Sequence, residues 1–316
     1  MPRRKAEWYI ERGLTPPESF EKKNYNWYVQ RGMTPPDHLK VPKVIKDTVG
    51  NLTVLPTPNA PSTWETDDEI EKRIRARFDV FDSLAEDVIN GDVRGLICSG
   101  APGMGKSYPV EQKLRGVESS RIIKGHASAK GLYEVLWQYR EEGSVIVLDD
   151  ADSIFGDEKA LNLLKSALDT TEERVLSWVT GSAFGASMDE DDRSIPTSFV
   201  FEGSLIFITN LDFDEMIAKG NRIAKHLEAI MSRTPYINLL IKSRKDCLIR
   251  IKQVIRDTLM LDSLNADQKQ DVVKFIEDNI AGLREISLRT ALKVAMYRKS
   301  NDNWYDIAKV TCCKGG

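Results

Sequence analysis

Apolar positions along this chain follow two different periods, and the switch between them maps its elements. Between Asp67 and Asn90 they recur at Ile70, Ile74, Phe78, Phe81, Leu84 and Val88, the three-to-four spacing that lays one stripe along a helix. Gly91 follows and ends the pattern, as glycine suits the position just past a helix. The chain then turns to short runs with apolar centres at 93–99, 121–124, 144–148 and 204–209. Runs of this kind fit strands covered on both faces, and helix-like stretches separate them. The pattern predicts an α/β fold around a mostly parallel central sheet. Beyond about Lys242 the strand-like runs stop. Segments 243–261, 265–281 and 287–300 read as helices, the last two opening at the capping residues Asn265 and Ser287, and predict a small all-α C-terminal domain.

Ahead of residue 67 the pattern is of another kind. Trp8-Tyr9-Ile10-Glu11-Arg12-Gly13-Leu14-Thr15-Pro16-Pro17 returns nineteen residues later as Trp27-Tyr28-Val29-Gln30-Arg31-Gly32-Met33-Thr34-Pro35-Pro36. Each copy reads as a helical turn stopped by glycine and continued by an extended Pro-Pro segment. Two readings stand side by side: docking elements that offer aromatic rings and an arginine to a protein or to single-stranded nucleic acid, or aromatics that pack the tail onto the body. Residues 47–66, rich in Pro, Thr and Asn, read as a linker. The expected organisation is a tail over 1–46, a linker over 47–66, a nucleotide-binding domain over 67–241 and a helical domain over 242–316.

Charge sharpens this division. The whole chain of 316 residues carries a formal −3, which gives no general attraction to polyanions. Residues 1–50 nonetheless hold ten Lys or Arg against six Asp or Glu, so a basic tail precedes an acidic body. Cys98, Cys247, Cys312 and Cys313 form no CxxC pair and no metal-ligand spacing, which points to a reducing, cytoplasmic setting. The basic start runs into Ala6-Glu7-Trp8-Tyr9 rather than an apolar core, so no secretory signal is expected. No apolar stretch approaches the ~20 residues that cross a bilayer, and no membrane partner is expected.

The chemistry gathers at strand ends. Gly100-Ala101-Pro102-Gly103-Met104-Gly105-Lys106-Ser107 fits GxxxxGK[ST] at every fixed position, with a strand before it and a helix pattern after it. In such a loop the main-chain N–H groups turn toward phosphates, Lys106 meets the β and γ oxygens, and the Ser107 hydroxyl helps to hold magnesium. ATP and Mg2+ are the expected ligands. The run Val145-Ile146-Val147-Leu148 ends in Asp149-Asp150-Ala151-Asp152; Asp149 is the expected magnesium partner, and Asp150 the group that orients or activates the attacking water. The run at 204–209 ends at Asn210, whose amide can bond a γ-phosphate oxygen and a water together.

With these three strands in this order, the chain resembles the AAA+ ATPases over about residues 67–300. The resemblance implies that 100–107 is Walker A, that 145–150 is Walker B and that Asn210 is sensor 1. It also implies a ring of copies with each nucleotide between neighbours. His226-Leu227-Glu228-Ala229-Ile230-Met231-Ser232-Arg233 looks like the segment that carries an arginine finger, making Arg233 the candidate ahead of Arg222 and Arg244. Ile286-Ser287-Leu288-Arg289-Thr290 looks like sensor 2 in a lid domain, with Arg289 reaching the γ-phosphate.

The chain departs from the family pattern twice. Many AAA+ proteins carry Glu where Asp150 stands, and the shorter carboxylate bears on turnover, not on binding. Sixty residues separate Asp150 from Asn210, and strand-like runs at 174–178 and 195–201 flank an acidic stretch containing Asp189-Glu190-Asp191-Asp192. This looks like the hairpin placed before sensor 1 in some DNA helicases, or it is a surface excursion. The segment 125–133 follows the second strand, where rings of this type carry substrate-gripping loops. There Lys130 could meet a phosphate backbone, while Tyr133 shares with Leu132, Leu136 and Trp137 the spacing of a buried helix face.

The preferred reading is an ATP-driven motor or loader acting on single- or double-stranded DNA, of phage type. The alternative is a protein remodeller whose N-terminal repeats dock a partner, which the acidic body favours. A small P-loop kinase gives no reason for Asn210, Arg233 and Arg289 to follow in this order. A nucleotide-operated switch is permitted by Asp150.

Overall fold

The structure, a computed structural model, describes residues 65–178 and 195–315. The tail repeats, the linker up to residue 64 and the acidic stretch 179–194 lie outside the described residues, so the readings made for them stay as expectations.

Helix α1 occupies Asp67–Asn90, the residues its apolar stripe marks. Thr66 opens it through a capping box: Thr66 Oγ1 accepts from Glu69 N at 3.3 Å, and Thr66 N donates to Glu69 Oε2 at 2.8 Å. Such a cap is worth ~1 kcal/mol. Gly91 closes it at φ 87° with nothing near the missing side chain. Ile70, Ile74, Phe78, Phe81, Ala85 and Val88 are buried, whereas Leu84 lies only at the margin of the stripe.

The central sheet has five parallel strands: β1 (Gly95–Ser99), β2 (Ser120–Lys124), β3 (Val145–Asp149), β6 (Ser204–Thr209) and β7 (Tyr236–Asn238), in the spatial order β2-β3-β6-β1-β7. β1, β3 and β6 are buried along their whole length, which explains why their centres are apolar on both faces rather than alternating. Helices α2 (Ser107–Lys113), α3 (Ala129–Gln138), α4 (Glu158–Ala167), α5 (Phe213–Ala218) and α6 (Ala224–Met231) connect them. One apolar cluster holds α3, α4 and the sheet face toward them; a second joins α1 to the opposite face. This is the parallel α/β arrangement expected.

The two strand-like runs in the long interval form an antiparallel ribbon, β4 (Val175–Ser177) with β5 (Ser198–Val200). Aromatic contacts fasten it to α3: Phe199 lies 5.1 Å from Tyr133 and 5.4 Å from Trp137 between ring centroids. Tyr133 is fully buried and donates its hydroxyl to Pro196 O at 2.9 Å. Its ring serves the core.

Four helices follow the sheet: α7 (Arg244–Asp257), α8 (Ala266–Asp278), α9 (Leu288–Ser300) and α10 (Trp304–Cys312), around their own apolar cluster. Two of the three expected spans here are too long. α7 stops at Asp257 because Thr258 leaves the helical region at φ −130°, and α8 stops at Asp278. α10 and the three-residue β7 were not foreseen. Among the described residues no helix is long and apolar enough to cross a membrane.

Candidate functional site

The C-terminal ends of β1, β3 and β6 deliver three chain segments to one place, and α9 brings a fourth. After β1 the phosphate-loop candidate turns back, and Gly100 N donates to Thr209 O at 3.2 Å. Gly103 takes φ 68°, and an added Cβ would come within 2.7 Å of Ser287 Cβ. Both facts require glycine there. α2 begins at Ser107 and tolerates Pro109 because first-turn N–H groups have no helical partner.

Lys106 is buried, and its Nζ donates to Gly100 O at 2.6 Å, Ala101 O at 3.0 Å and Asn210 Oδ1 at 2.8 Å. Burial lowers its pKa, while Asp150, Asp149 and Asp152 pull the other way. Ser107 Oγ donates to Asp149 Oδ1 at 2.8 Å. Burial raises the Asp149 pKa, and the Ser107 bond offsets part of that rise. Lys124 Nζ approaches the other oxygen, Oδ2, at 3.6 Å. Asp150 is exposed, adopts φ 54° and accepts from Asn210 Nδ2 at 2.8 Å. Asn210 therefore bridges Lys106 and Asp150.

A cavity of about 180 Å³ opens over this constellation. The loop from Gly103 to Tyr108 forms one wall, Asp150 and Asn210 a second, and Leu288, Arg289 and Leu292 a third. Arg289 is thus brought to the phosphate-loop candidate by α9, whose first residue, Leu288, donates its N–H to Gly103 O at 2.9 Å. Arg233 is not brought there. It ends the α6 segment, with Nη1 on Ala229 O at 2.6 Å and Nε 3.5 Å from Asp169 Oδ1. Arg244 is bound to Ile280 O and Leu283 O at 2.8 and 2.6 Å.

Two residues at the site escaped sequence reasoning. Arg250 lies 3.4 Å over the Phe78 ring, reaches Met104 O at 3.5 Å, and has its pKa pushed down to about 10 by burial. Nothing in the sequence separates it from the other helical arginines. Tyr108 stands at the cavity wall, 65% exposed, directly after the motif, where no rule assigns it a role. Among the described residues no group of three or more His, Cys, Asp or Glu is placed to hold a metal. A metal here would therefore depend on Ser107, Asp149 and oxygens from a ligand. The Ser107–Asp149 pair, with Ser107 at the cavity wall and Asp149 hydrogen-bonded behind it, offers the oxygen donors that suit a hard cation.

No protein-family model matches the chain. It is 36% identical over 252 residues, covering 77% of this chain and 76% of the other, to the uncharacterized 36.7 kDa protein in the nrdC–mobD intergenic region of enterobacteria phage T4. Among solved structures it is similar to the RuvB Holliday junction branch migration motor of Thermotoga maritima, at 13% identity and TM-score 0.40 over 78% of this chain and 69% of that one. It is also similar to NtrX from Brucella abortus in complex with ADP, at 11% identity and TM-score 0.42 over 72% of this chain and 51% of that one.

Proposed function

This chain belongs to the same family as the 36.7 kDa phage T4 protein, and from its parallel α/β fold we propose that it is an AAA+ ATPase that binds ATP with magnesium and hydrolyses it. One observation carries the reading: Lys106, Ser107, Asp150 and Asn210, from separate stretches of chain, line one cavity, and Ser107 donates to Asp149 just behind its wall. A cavity of about 180 Å³ is smaller than the ~300–1,000 Å³ of a whole small-molecule pocket. It suits the phosphates, with the nucleoside lying outside it.

In this reading the main chain of 100–107 binds the β and γ phosphates and Lys106 turns from its carbonyl partners toward them. Ser107 and Asp149 hold the magnesium ion, which when bound supplies positive charge against the phosphate oxygens. Asn210 orients the attacking water, and Asp150 takes up its proton. Arg289 meets the γ-phosphate from the lid. Arg233, directed away from its own cavity, serves the site of an adjacent copy in a ring, where a guanidinium stabilises the charge of the transferred phosphoryl group. The helices over 242–316 form the lid domain, the body runs over 67–241, and 1–46 is an appended tail joined by 47–66.

The work so driven is remodelling or translocation of DNA. The basic tail and the β4–β5 ribbon support this choice. A protein remodeller, with the tail repeats docking a partner, is the second reading and draws on the acidic body. The test is magnesium-dependent phosphate release by the purified full chain, followed by single-stranded DNA binding at rising salt with and without residues 1–46. Material that retains no labelled ATP at millimolar magnesium refutes the ATPase. DNA binding that ignores both salt and the tail favours the protein remodeller.

A further inference from the structure

Two side chains to which the motifs give no role stand behind the Asp150–Asn210 contact. Thr209, the wholly buried last residue of β6, accepts from Leu211 N at 3.0 Å and donates to Asp152 Oδ1 at 2.5 Å. Its hydroxyl spans the turn that carries Asn210 and fixes the chain on both sides of that residue. Asp152 lies two residues beyond Asp150, at the start of the short 3-10 turn Asp152–Gly156. A main-chain bond from Asp150 N to Ile208 O at 2.9 Å completes the frame. Within it Asp150 sits at φ 54°, in the left-handed region, which few residues besides glycine, Asn and Asp adopt readily.

The geometry points to Thr209 and Asp152 as positioning residues for ATP hydrolysis: their hydrogen bond locks the two loops that present Asn210 and Asp150 and sets the distance between those side chains. The inference rests on the ATPase reading and deepens it. Neither residue lines the cavity, so neither meets the nucleotide; both act through the spacing of the groups that do. The bond is to a carboxylate and partly buried, which makes it stronger and more directional than one between neutral groups. Valine matches threonine in shape but can neither donate nor accept here, whereas serine keeps the hydroxyl.

The test uses the full chain with Thr209→Val, Thr209→Ser, Asp152→Ala and the Thr209→Val/Asp152→Ala double variant. Turnover of MgATP is measured beside the affinity for a fluorescent ATP analogue. Thr209→Val should lower kcat about tenfold or more while KM and analogue affinity stay within about twofold, since misplacement by a fraction of an ångström reaches the chemical step before it reaches binding. Thr209→Ser should recover most of that loss, and adding Thr209→Val to Asp152→Ala should slow turnover far less than Thr209→Val slows the wild type, because the two changes share the Thr209–Asp152 bond and only the Leu211 N bond is lost in addition. Wild-type kcat in Thr209→Val, or an equal fall of kcat and affinity, overturns the inference. Should Thr209→Val not fold, Asp152→Ala is judged by the same criteria. A wild type that binds no nucleotide overturns the ATPase reading and this inference together; an active wild type with an unaffected Thr209→Val removes only the latch.

Discussion

Ser107 Oγ and Asp149 Oδ1 lie 2.8 Å apart although 42 positions separate them in the chain. The contact joins the first residue of α2 to the last of β3 in a buried spot, and burial raises the Asp149 pKa above the ordinary 3.8. For a carboxyl raised in the folded state, the associated stability is fully present below 3.8 and is lost as pH climbs through the native value. The nucleotide-free Asp149→Asn variant is therefore expected to melt above the wild type at neutral pH, with the difference closing toward pH 3.8. It should also lose the magnesium-dependent rise in melting temperature that ATP gives the wild type. Calorimetry across pH reads both, and a lower melting point at neutral pH would contradict the sign.

Arg233 makes its contacts with Ala229 and Asp169, away from the cavity. If it serves a neighbour, Arg233→Ala and Lys106→Ala are each inactive for different reasons. Mixed together, they form interfaces that join an intact phosphate loop to an intact arginine. Turnover of the mixture should exceed that of either variant alone. Turnover no higher than the two parents' would remove the trans role.

Gly103 and Gly91 both have positive φ, but only Gly103 has a neighbour in the way. Gly91→Ala should cost about 1 kcal/mol, the price of a left-handed alanine alone. Gly103→Ala adds a clash with Ser287 and is expected to cost more, ~2–4 kcal/mol, while loosening α9 from the loop. Urea unfolding of the two variants compares them directly; equal losses would mean that the Ser287 contact yields freely.

Tyr133→Phe removes the hydroxyl bond to Pro196 O and leaves the ring contacts with Phe199 and Trp178. A loss of ~1–2 kcal/mol is expected, with ATP affinity unchanged. Chemical denaturation and nucleotide titration check the pair of outcomes, and weakened ATP binding would show that the ribbon reaches the site.

The parts legible in the sequence are those where local chemistry and tertiary demand agree. α1 needs both its apolar stripe and its caps, and Thr66, Glu69 and Gly91 mark its ends to the residue. β3 and β6 are buried on both sides, so their composition alone identifies them. β7 is different: three residues, paired only with β1, hold no period to read. The helix at Trp304–Cys312 buries only Ala308 and Cys312 along its length, too thin a stripe to detect. At the site, Lys106, Asp149 and Asn210 could be found because each ends or follows a strand. Arg250 and Thr209 could not, since their importance lies wholly in what they touch. Arg233 shows a further limit, because a residue that would act on another copy has no partner within one chain to reveal it.

The hydrogen bond from Leu288 N to Gly103 O has a mechanical consequence. α9 is 13 residues long, a rod of ~20 Å, and it is pinned at one end to the segment that would move when a triphosphate arrives or leaves. A small rotation at that pivot swings the far end through several times the distance, carrying the attached helices along. If nucleotide binding moves the loop, the helical block would be turned at its shortest lever arm, and the displacement would grow with distance from the phosphate-loop candidate.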